Sequence, residues 1–265
     1  MTGYGGFREQ VIVSAAQIYK KPISMDFTTA SCFTLTYGTS QYALKNRGQL
    51  KEGETLLVLG AAGGVGISAV EIGKALGAKV IAAASSDEKL EVCKQYGADE
   101  VINYGGYDLT DRDQVKQFRN EIAKATGGKG PDVIYDPVGA DFTEPALRSI
   151  AWNGRFLVIG WAAGHIPKIP MNLYLIKGCS AVGVFWGQFT ALEPQNHLDN
   201  MNQLTSWYEE GKLKAPVTEV LPLERGQEAL ETILARKATG KILSLIHISE
   251  PTRPLYISYA VFCLK

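Results

Sequence analysis

One stretch, Glu54 to Glu91 (ETLLVLGAAGGVGISAVEIGKALGAKVIAAASSDEKLE), restricts the possible folds more than any other part of the chain. An apolar run, Thr55 to Leu59, enters a glycine cluster at Gly60, Gly63, Gly64 and Gly66. Apolar residues then recur at helical spacing from Ile67 to Leu76, and a second apolar run, Val80 to Ala84, ends at Ser85 and Ser86. The order predicts strand, tight turn, helix and strand, a βαβ unit.

The chemistry of such a turn follows from the backbone. N–H groups at a helix N-terminus form an anion site, and the helix dipole adds to it. Side chains would keep phosphates away, so Gly63 and Gly64 suit the place, and Gly66 lets the helix pack close to the strand. The spacing is Ala61-x-Gly63-x-x-Gly66, with alanine where the usual fingerprint has its first glycine. A glycine-rich hairpin is the alternative for the spacing alone. The flanking strand, helix and second strand favour dinucleotide binding.

An acidic residue about 20 positions on would hold the ribose 2′-hydroxyl of NAD. The second strand ends instead in Ser85 and Ser86, and Lys89 lies one turn into the next helix. With no carboxylate there to repel a 2′-phosphate, NADP is favoured over NAD. The competing account has Ser86 or Asp87 as a helix cap and Lys89 as a solvated lysine.

Composition sets bounds on the rest. The chain has 265 residues, 46% hydrophobic and 20% charged, enough for a sizeable core. The formal charge is zero, which gives no electrostatic case for nucleic acid or an anionic membrane. No apolar run reaches spanning length, and Met1 to Gly6 lacks the pattern of a signal peptide. Cys32, Cys93, Cys179 and Cys263 are far apart, which suggests reduced thiols and a cytoplasmic protein.

Both ends read differently from the middle. Phe7 to Val13 reads as a strand, Pro22 breaks the chain, and Asp26 to Phe33 reads as a short helix, the closing pieces of a domain whose opening is expected to be missing. Leu243 to Arg253 resembles an in-frame translation of a transposase sequencing adapter, and Ile257 to Leu264 the primer that follows it. Residues 243–265 are therefore expected to be a non-native tail, which sets aside His247 and Cys263 as site candidates. Leaving it out removes two basic and one acidic side chains, so the charge balance stands. The alternation from Leu243 to Ile248 still suits a strand.

Between the ends, strands and helices alternate. Helices are expected at Asp87 to Tyr96, Asp111 to Thr126, Phe142 to Ile150, Leu198 to Glu210 and Glu224 to Ala235. Strands are expected at Glu100 to Asn103, Asp132 to Tyr135, Arg155 to Ile159 and Ser180 to Val184. The alternation predicts an α/β fold with a doubly wound parallel sheet, whose ligands sit at the carboxyl ends of the strands. Tyr104, Val138, Gly160 and Phe185 fall at or just past such ends.

Taken together, six segments carry a family resemblance: Leu35 to Leu44 (LTYGTSQYAL), the glycine turn, Gly97 to Tyr104 (GADEVINY), Asp136 to Gly139 (DPVG), Asn153 to Gly160 (NGRFLVIG) and Arg236 to Lys241 (RKATGK). The chain resembles the medium-chain dehydrogenase/reductase superfamily, and within it the zinc-independent quinone oxidoreductase (zeta-crystallin-like) branch, over about residues 3 to 242. The resemblance implies a remnant of a GroES-like β catalytic domain at 1–43, an NADP-binding Rossmann domain at 44–185, and a return to the catalytic domain at 186–242.

The resemblance also implies roles by position. Thr39 matches a threonine lining the nicotinamide; Gly63, Gly64 and Val65 match the pyrophosphate turn; Ser85 and Lys89 match 2′-phosphate contacts. Tyr104 matches a tyrosine beside the adenosine, and Val138, Gly160 and Phe185 match strand-end contacts to the nicotinamide half. Thr39 as an ordinary helix hydroxyl, and Tyr104 and Phe185 as core aromatics, are the alternatives. In zinc-dependent relatives a cysteine ligand stands four residues before the threonine that matches Thr39. Here that place is Leu35, which cannot ligate, and Cys32 is one helical turn off. His165 and His197 stand alone and read as surface residues.

The expected activity is NADPH-dependent, zinc-independent hydride transfer to a small electrophile, a quinone or an α,β-unsaturated carbonyl, with no residue assigned as general acid. Alternatives are an acrylyl- or enoyl-CoA reductase and an NADPH-binding, crystallin-like protein without turnover. The truncation implied by the resemblance favours binding without catalysis for this chain itself. The resemblance further implies a homodimer through the sheet edge at Ser180 to Val184.

Overall fold

The computed structural model describes residues 12–13, 18–245 and 262–263. The chain divides into two compact units: Thr36–Lys214 forms one, and residues up to Leu35 and from Ala215 onward form the other.

The first unit is built on a six-stranded parallel sheet of β1 (Thr55–Leu59), β2 (Lys79–Ala84), β3 (Glu100–Asn103), β4 (Val133–Asp136), β5 (Arg155–Val158) and β6 (Ser180–Gly183). The strand order is β3-β2-β1-β4-β5-β6, so the direction of winding reverses between β1 and β4. Residues 56–59 of β1, 80–84 of β2 and 133–135 of β4 are buried, which is why they read as unbroken apolar runs. Leu57, Ile81, Ile102, Ile134 and Phe156 join Phe118 and Ile122 in one core cluster.

Among the described residues the helices are α1 (Phe27–Gln41), α2 (Gly64–Ala75), α3 (Asp87–Gln95), α4 (Arg112–Ala125), α5 (Thr143–Arg148), α6 (Asn172–Lys177), α7 (Trp186–Leu192), α8 (Pro194–Glu209) and α9 (Gly226–Leu234). Several differ from the sequence reading. α1 runs well past Phe33 and passes into a π-helical turn, Tyr42–Arg47. Gly38 sits inside α1 because a Cβ there would meet the Trp186 ring at 2.9 Å. α2 begins at Gly64, since a first helical turn needs no apolar periodicity. The helix expected from Phe142 splits into a 3-10 turn, Ala140–Phe142, and α5. α6 and α7 were not anticipated.

In the second unit, β7 (Glu219–Pro222) pairs in parallel with β8 (Ile242–Leu245), and β8 pairs antiparallel with β9 (Phe262–Cys263). Ala229 of α9 packs with Leu221 of β7 and Ile242 of β8. The alternation at the start of the adapter-like segment thus forms a strand, as period-2 apolarity permits. The strand expected at Phe7 to Val13 lies outside the described residues except for Ile12 and Val13, which belong to no strand.

Candidate functional site

The turn after β1 is shaped by close backbone contacts. Gly60 has φ +59, a left-handed conformation that favours glycine, and a Cβ there would lie 2.8 Å from Val138 Cγ2. Gly60 therefore makes the tight turn, while Ala61, at the fingerprint's first glycine position, donates its N–H to Ala83 at 3.0 Å beside β2. The Gly60 carbonyl accepts from the Gly63 N–H at 3.0 Å. A Cβ on Gly66 would come within 2.3 Å of that same carbonyl oxygen, so α2 packs against the turn at glycine distance.

The N-terminus of α2 is the electropositive feature of this turn. The N–H groups of a first helical turn have no intrahelical acceptor. Gly63, the N-cap, brings no side chain to satisfy them. In α3 and α4 the equivalent groups are served: Ser86 Oγ accepts from Lys89 N at 3.4 Å, and Asp111 Oδ1 accepts from Asp113 N and Gln114 N at 3.0 and 2.9 Å. α2 alone of these three opens with a glycine cap, at the carboxyl end of the central strand. That arrangement fits a bound diphosphate.

At the end of β2, Ser85 is exposed, and Lys89 Nζ donates to its hydroxyl at 3.2 Å. Ser86 caps α3 as the competing account held, and Lys89 at the same time reaches back to Ser85. Tyr104 follows β3, with its N–H donating to Ala84 O at 2.9 Å. Its half-buried ring tilts against Phe142 at 4.6 Å and meets Phe118 edge-on at 6.4 Å.

Past β4, a buried carboxylate organises the loop. Asp136 Oδ1 accepts from the N–H groups of Val138 and Gly139, both at 2.8 Å, and Oδ2 accepts from Thr143 Oγ at 2.7 Å. Burial pushes the Asp136 carboxyl above its ordinary range, although these hydrogen bonds pull the other way. Gly160 donates to Asp136 O at 3.3 Å, and Phe185, at the start of α7, is 72% exposed. Arg47 Nε donates to Gly183 O at 3.0 Å, fixing the end of β6. Thr39 is half-buried on α1, and its neighbour Ser40 lies 3.0 Å from Val65 O and 2.8 Å from Tyr135 Oη.

Gly63, Gly64, Val65, Ser85, Tyr104, Val138, Gly160 and Phe185 thus stand at or just past the carboxyl ends of parallel strands, Lys89 reaches that edge through Ser85, and Thr39 sits on the helix that Ser40 ties to it. Sequence reasoning placed Gly60, Ser40 and Asp136 within its motifs but gave them no role of their own, and it missed Arg47. A signal existed for Asp136, because Asp before Pro-x-Gly often folds its side chain onto the backbone N–H groups ahead.

His197, expected on the surface, is buried instead: it meets Trp186 edge-on at 5.4 Å and Phe189 at 6.1 Å, and burial lowers its pKa. The sequence around it is polar, so its place under α7 left no trace. His165 is exposed, with Nε2 3.5 Å from Asp141 Oδ1. Among the described residues, no three His, Cys, Asp or Glu side chains gather as a zinc site needs. No described helix is long and apolar enough to cross a membrane.

Known proteins share the sequence pattern and the fold of this chain. The family profile described as zinc-binding dehydrogenase matches residues 64–206. A quinone oxidoreductase-like protein 2 homolog of Nematostella vectensis is 37% identical over 90% of this chain, and the chain spans 63% of that relative's length. A probable oxidoreductase from Mycobacterium abscessus is 34% identical, with a TM-score of 0.74 over 88% of this chain and 67% of that one. A mycobacterial protein solved in complex with NADPH is 27% identical, with a TM-score of 0.80 over 87% of this chain and 68% of that one.

Proposed function

The chain belongs to the medium-chain dehydrogenase/reductase superfamily, in its quinone oxidoreductase branch, and from that membership we propose an NADPH-dependent oxidoreductase acting on a quinone or an α,β-unsaturated carbonyl. One observation carries the reading. The uncapped N-terminus of α2 opens at the carboxyl end of β1, beside the point where strand order reverses. Ligands of doubly wound sheets bind there.

In this proposal the first-turn N–H groups of α2, at Gly64, Val65 and Gly66, hold the pyrophosphate, and Gly63 leaves room for its approach. Ser85 and Lys89 hold the 2′-phosphate, with no carboxylate at positions 85 or 86 to repel it. Tyr104 flanks the adenosine, and Thr39, Val138, Gly160 and Phe185 line the nicotinamide half. NADPH, when bound, supplies the hydride. The protein's part is to orient the ring and exclude water. The choice of NADPH draws support from the mycobacterial neighbour solved with it. Zinc takes no part in the proposal, because Leu35 offers no ligand atom at the place the zinc-dependent relatives use. A homodimer through β6, an edge strand of the sheet, and a cytoplasmic setting complete the reading.

The test is a titration of NADPH and NADH into the chain, followed by nicotinamide fluorescence, with Lys89→Ala alongside. NADPH should bind more tightly than NADH, and Lys89→Ala should remove the preference. Equal binding of the two cofactors by folded protein would overturn the assignment. Turnover of a quinone against an enoyl thioester then separates the two electrophile classes.

A further inference from the structure

Asn103, the last residue of β3, pairs in register with Ala84, the last residue of β2. Its side-chain amide stands between two groups of fixed polarity. A carboxylate accepts and a backbone N–H donates, so only one orientation of the amide serves both. Nδ2 donates to Asp87 Oδ1 at 2.6 Å, and Oδ1 accepts from Gly105 N at 2.9 Å. Gly105 is pressed against the preceding strand's loop: a Cβ on it would lie 1.9 Å from Ser85 O. The β2 and β3 ends are therefore locked together at the residue that carries the Lys89 contact.

The first turn of α3 holds two carboxylates, Asp87 and Glu88, immediately after the serines. Glu88 is engaged by the Ser86 hydroxyl, which holds its carboxyl below the ordinary range. Asp87 is engaged by Asn103. A carboxylate at this end of the second strand accepts from a ribose diol and repels a 2′-phosphate. Asp87 lies two residues past Ser85 and two before Lys89, so where its charge points bears on which ribose is accepted.

We infer that Asn103 is a positioning residue for cofactor choice: by holding the Asp87 carboxylate, it keeps that charge away from the Ser85–Lys89 pair and so favours NADPH over NADH. The inference rests on the NADPH reading proposed above. Asn103 acts through Asp87, and its effect belongs to the ratio of the two affinities, not to their common level.

The experiment measures NADPH and NADH dissociation constants on the full chain by nicotinamide fluorescence. The proteins are the parent, Asn103→Ala, Asn103→Asp, Asp87→Asn, Asn103→Ala with Asp87→Asn, and Lys89→Ala. In Asn103→Ala the preference for NADPH should fall about fivefold, with NADH affinity held or improved, as the released unit charge of Asp87 near a dianion dictates. Asn103→Asp keeps an acceptor for Gly105 but puts a carboxylate in place of the donor, so the preference should fall further. Adding Asp87→Asn to Asn103→Ala should restore the parent ratio. The shift should shrink in about 0.5 M salt, where the Debye length drops to a few ångströms. Circular dichroism establishes that each variant is folded. Should Asn103→Ala not fold, Asn103→Asp carries the test, with Asp87→Asn expected to match or exceed the parent preference. Equal weakening of both cofactors, or no rescue by Asp87→Asn, would overturn the role of Asn103. No preference in the parent, or one that survives Lys89→Ala, would instead overturn the NADPH reading and this inference with it.

Discussion

The Ser40 hydroxyl lies 2.8 Å from the Tyr135 hydroxyl, in an interior where burial pushes the Tyr135 phenol well above its ordinary range. Ser40 Oγ is also 2.9 Å from Ser68 Oγ and 3.0 Å from Val65 O. These contacts tie α1, α2 and β4 together directly beneath the glycine turn.

The two hydroxyls are not equivalent, and mutation should show it. Ser40 keeps Ser68 and Val65 when Tyr135 loses its hydroxyl, so Tyr135→Phe should cost about 1 kcal/mol. Ser40→Ala leaves the fully buried Tyr135 hydroxyl without its serine partner and should cost about 2 kcal/mol. Urea denaturation of both variants checks the order, and a Tyr135→Phe cost above that of Ser40→Ala would contradict it.

Gly63 and Gly66 should separate folding from binding. A Cβ on Gly66 meets backbone, Gly60 O at 2.3 Å and Ala61 Cα at 2.7 Å, and backbone cannot move aside as a side chain can. Gly66→Ala should therefore destabilise the protein by about 3 kcal/mol. A Cβ on Gly63 has only Gly60 O at 3.4 Å, an ordinary contact, and φ there is −76. Gly63→Ala should melt within a few degrees of the parent yet bind NADPH at least tenfold more weakly, because the methyl fills space meant for phosphate. Unchanged NADPH affinity in Gly63→Ala would remove the pyrophosphate from this turn.

How much of this was legible before the structure depended on where the constraint lay. β1, β2 and β4 are buried on both faces, and that burial writes itself as unbroken apolar runs. The glycine turn was legible because its chemistry permits few residues. α1 was cut short because its second half, LTYGTSQ, has no apolar stripe. Thr36, Ser40 and Gln41 are nonetheless buried; the Ser40 hydroxyl meets Tyr135 Oη and Gln41 Nε2 donates to Gln203 Oε1, partners distant in sequence. α6 was missed for the opposite reason: Leu175 and Ile176 are apolar but 81% and 65% exposed, so its pattern pointed to no face. Asn103 read only as the end of a strand, since its hold on Asp87 exists only once β2 and β3 are paired.

Asp136 should tolerate loss of charge but not loss of its acceptors. Asparagine at this position still accepts from the Val138 and Gly139 N–H groups and can donate to Thr143. Asp136→Asn should change stability by less than about 1 kcal/mol, and Asp136→Ala, which orphans two N–H groups, should cost about 3 kcal/mol. The raised pKa adds a sign: the folded state binds this proton more tightly, so the parent loses stability relative to Asp136→Asn as pH rises through the raised value. Denaturation of both proteins from below pH 3.8 up to neutral pH reads that difference directly.

Glu54 should behave in the opposite way. Arg155 grips its carboxylate with two donors, Nη1 to Oε1 at 3.0 Å and Nη2 to Oε2 at 2.5 Å, while Lys51 N donates to Oε2 at 2.9 Å. Burial alone would raise the Glu54 pKa, but the Arg155 hydrogen bonds and the Lys51 N–H outweigh it and hold the carboxyl below 4.5. The folded state thus binds this proton less tightly than the unfolded chain does. The stabilisation is complete above about pH 4.5 and fades as pH falls through the lowered folded value. Arg155 Nε also donates to Gly48 O at 2.9 Å, so the pair anchors the loop before β1 to β5. Glu54→Gln should cost about 1 to 2 kcal/mol at neutral pH, with less of that cost surviving as pH falls below 4.5 through the lowered folded value, where the parent carboxyl is itself taking up a proton. Urea denaturation of parent and variant across this range settles it: a cost that stays constant with pH would mean that the charge on Glu54 contributes nothing and that the pair acts by shape alone.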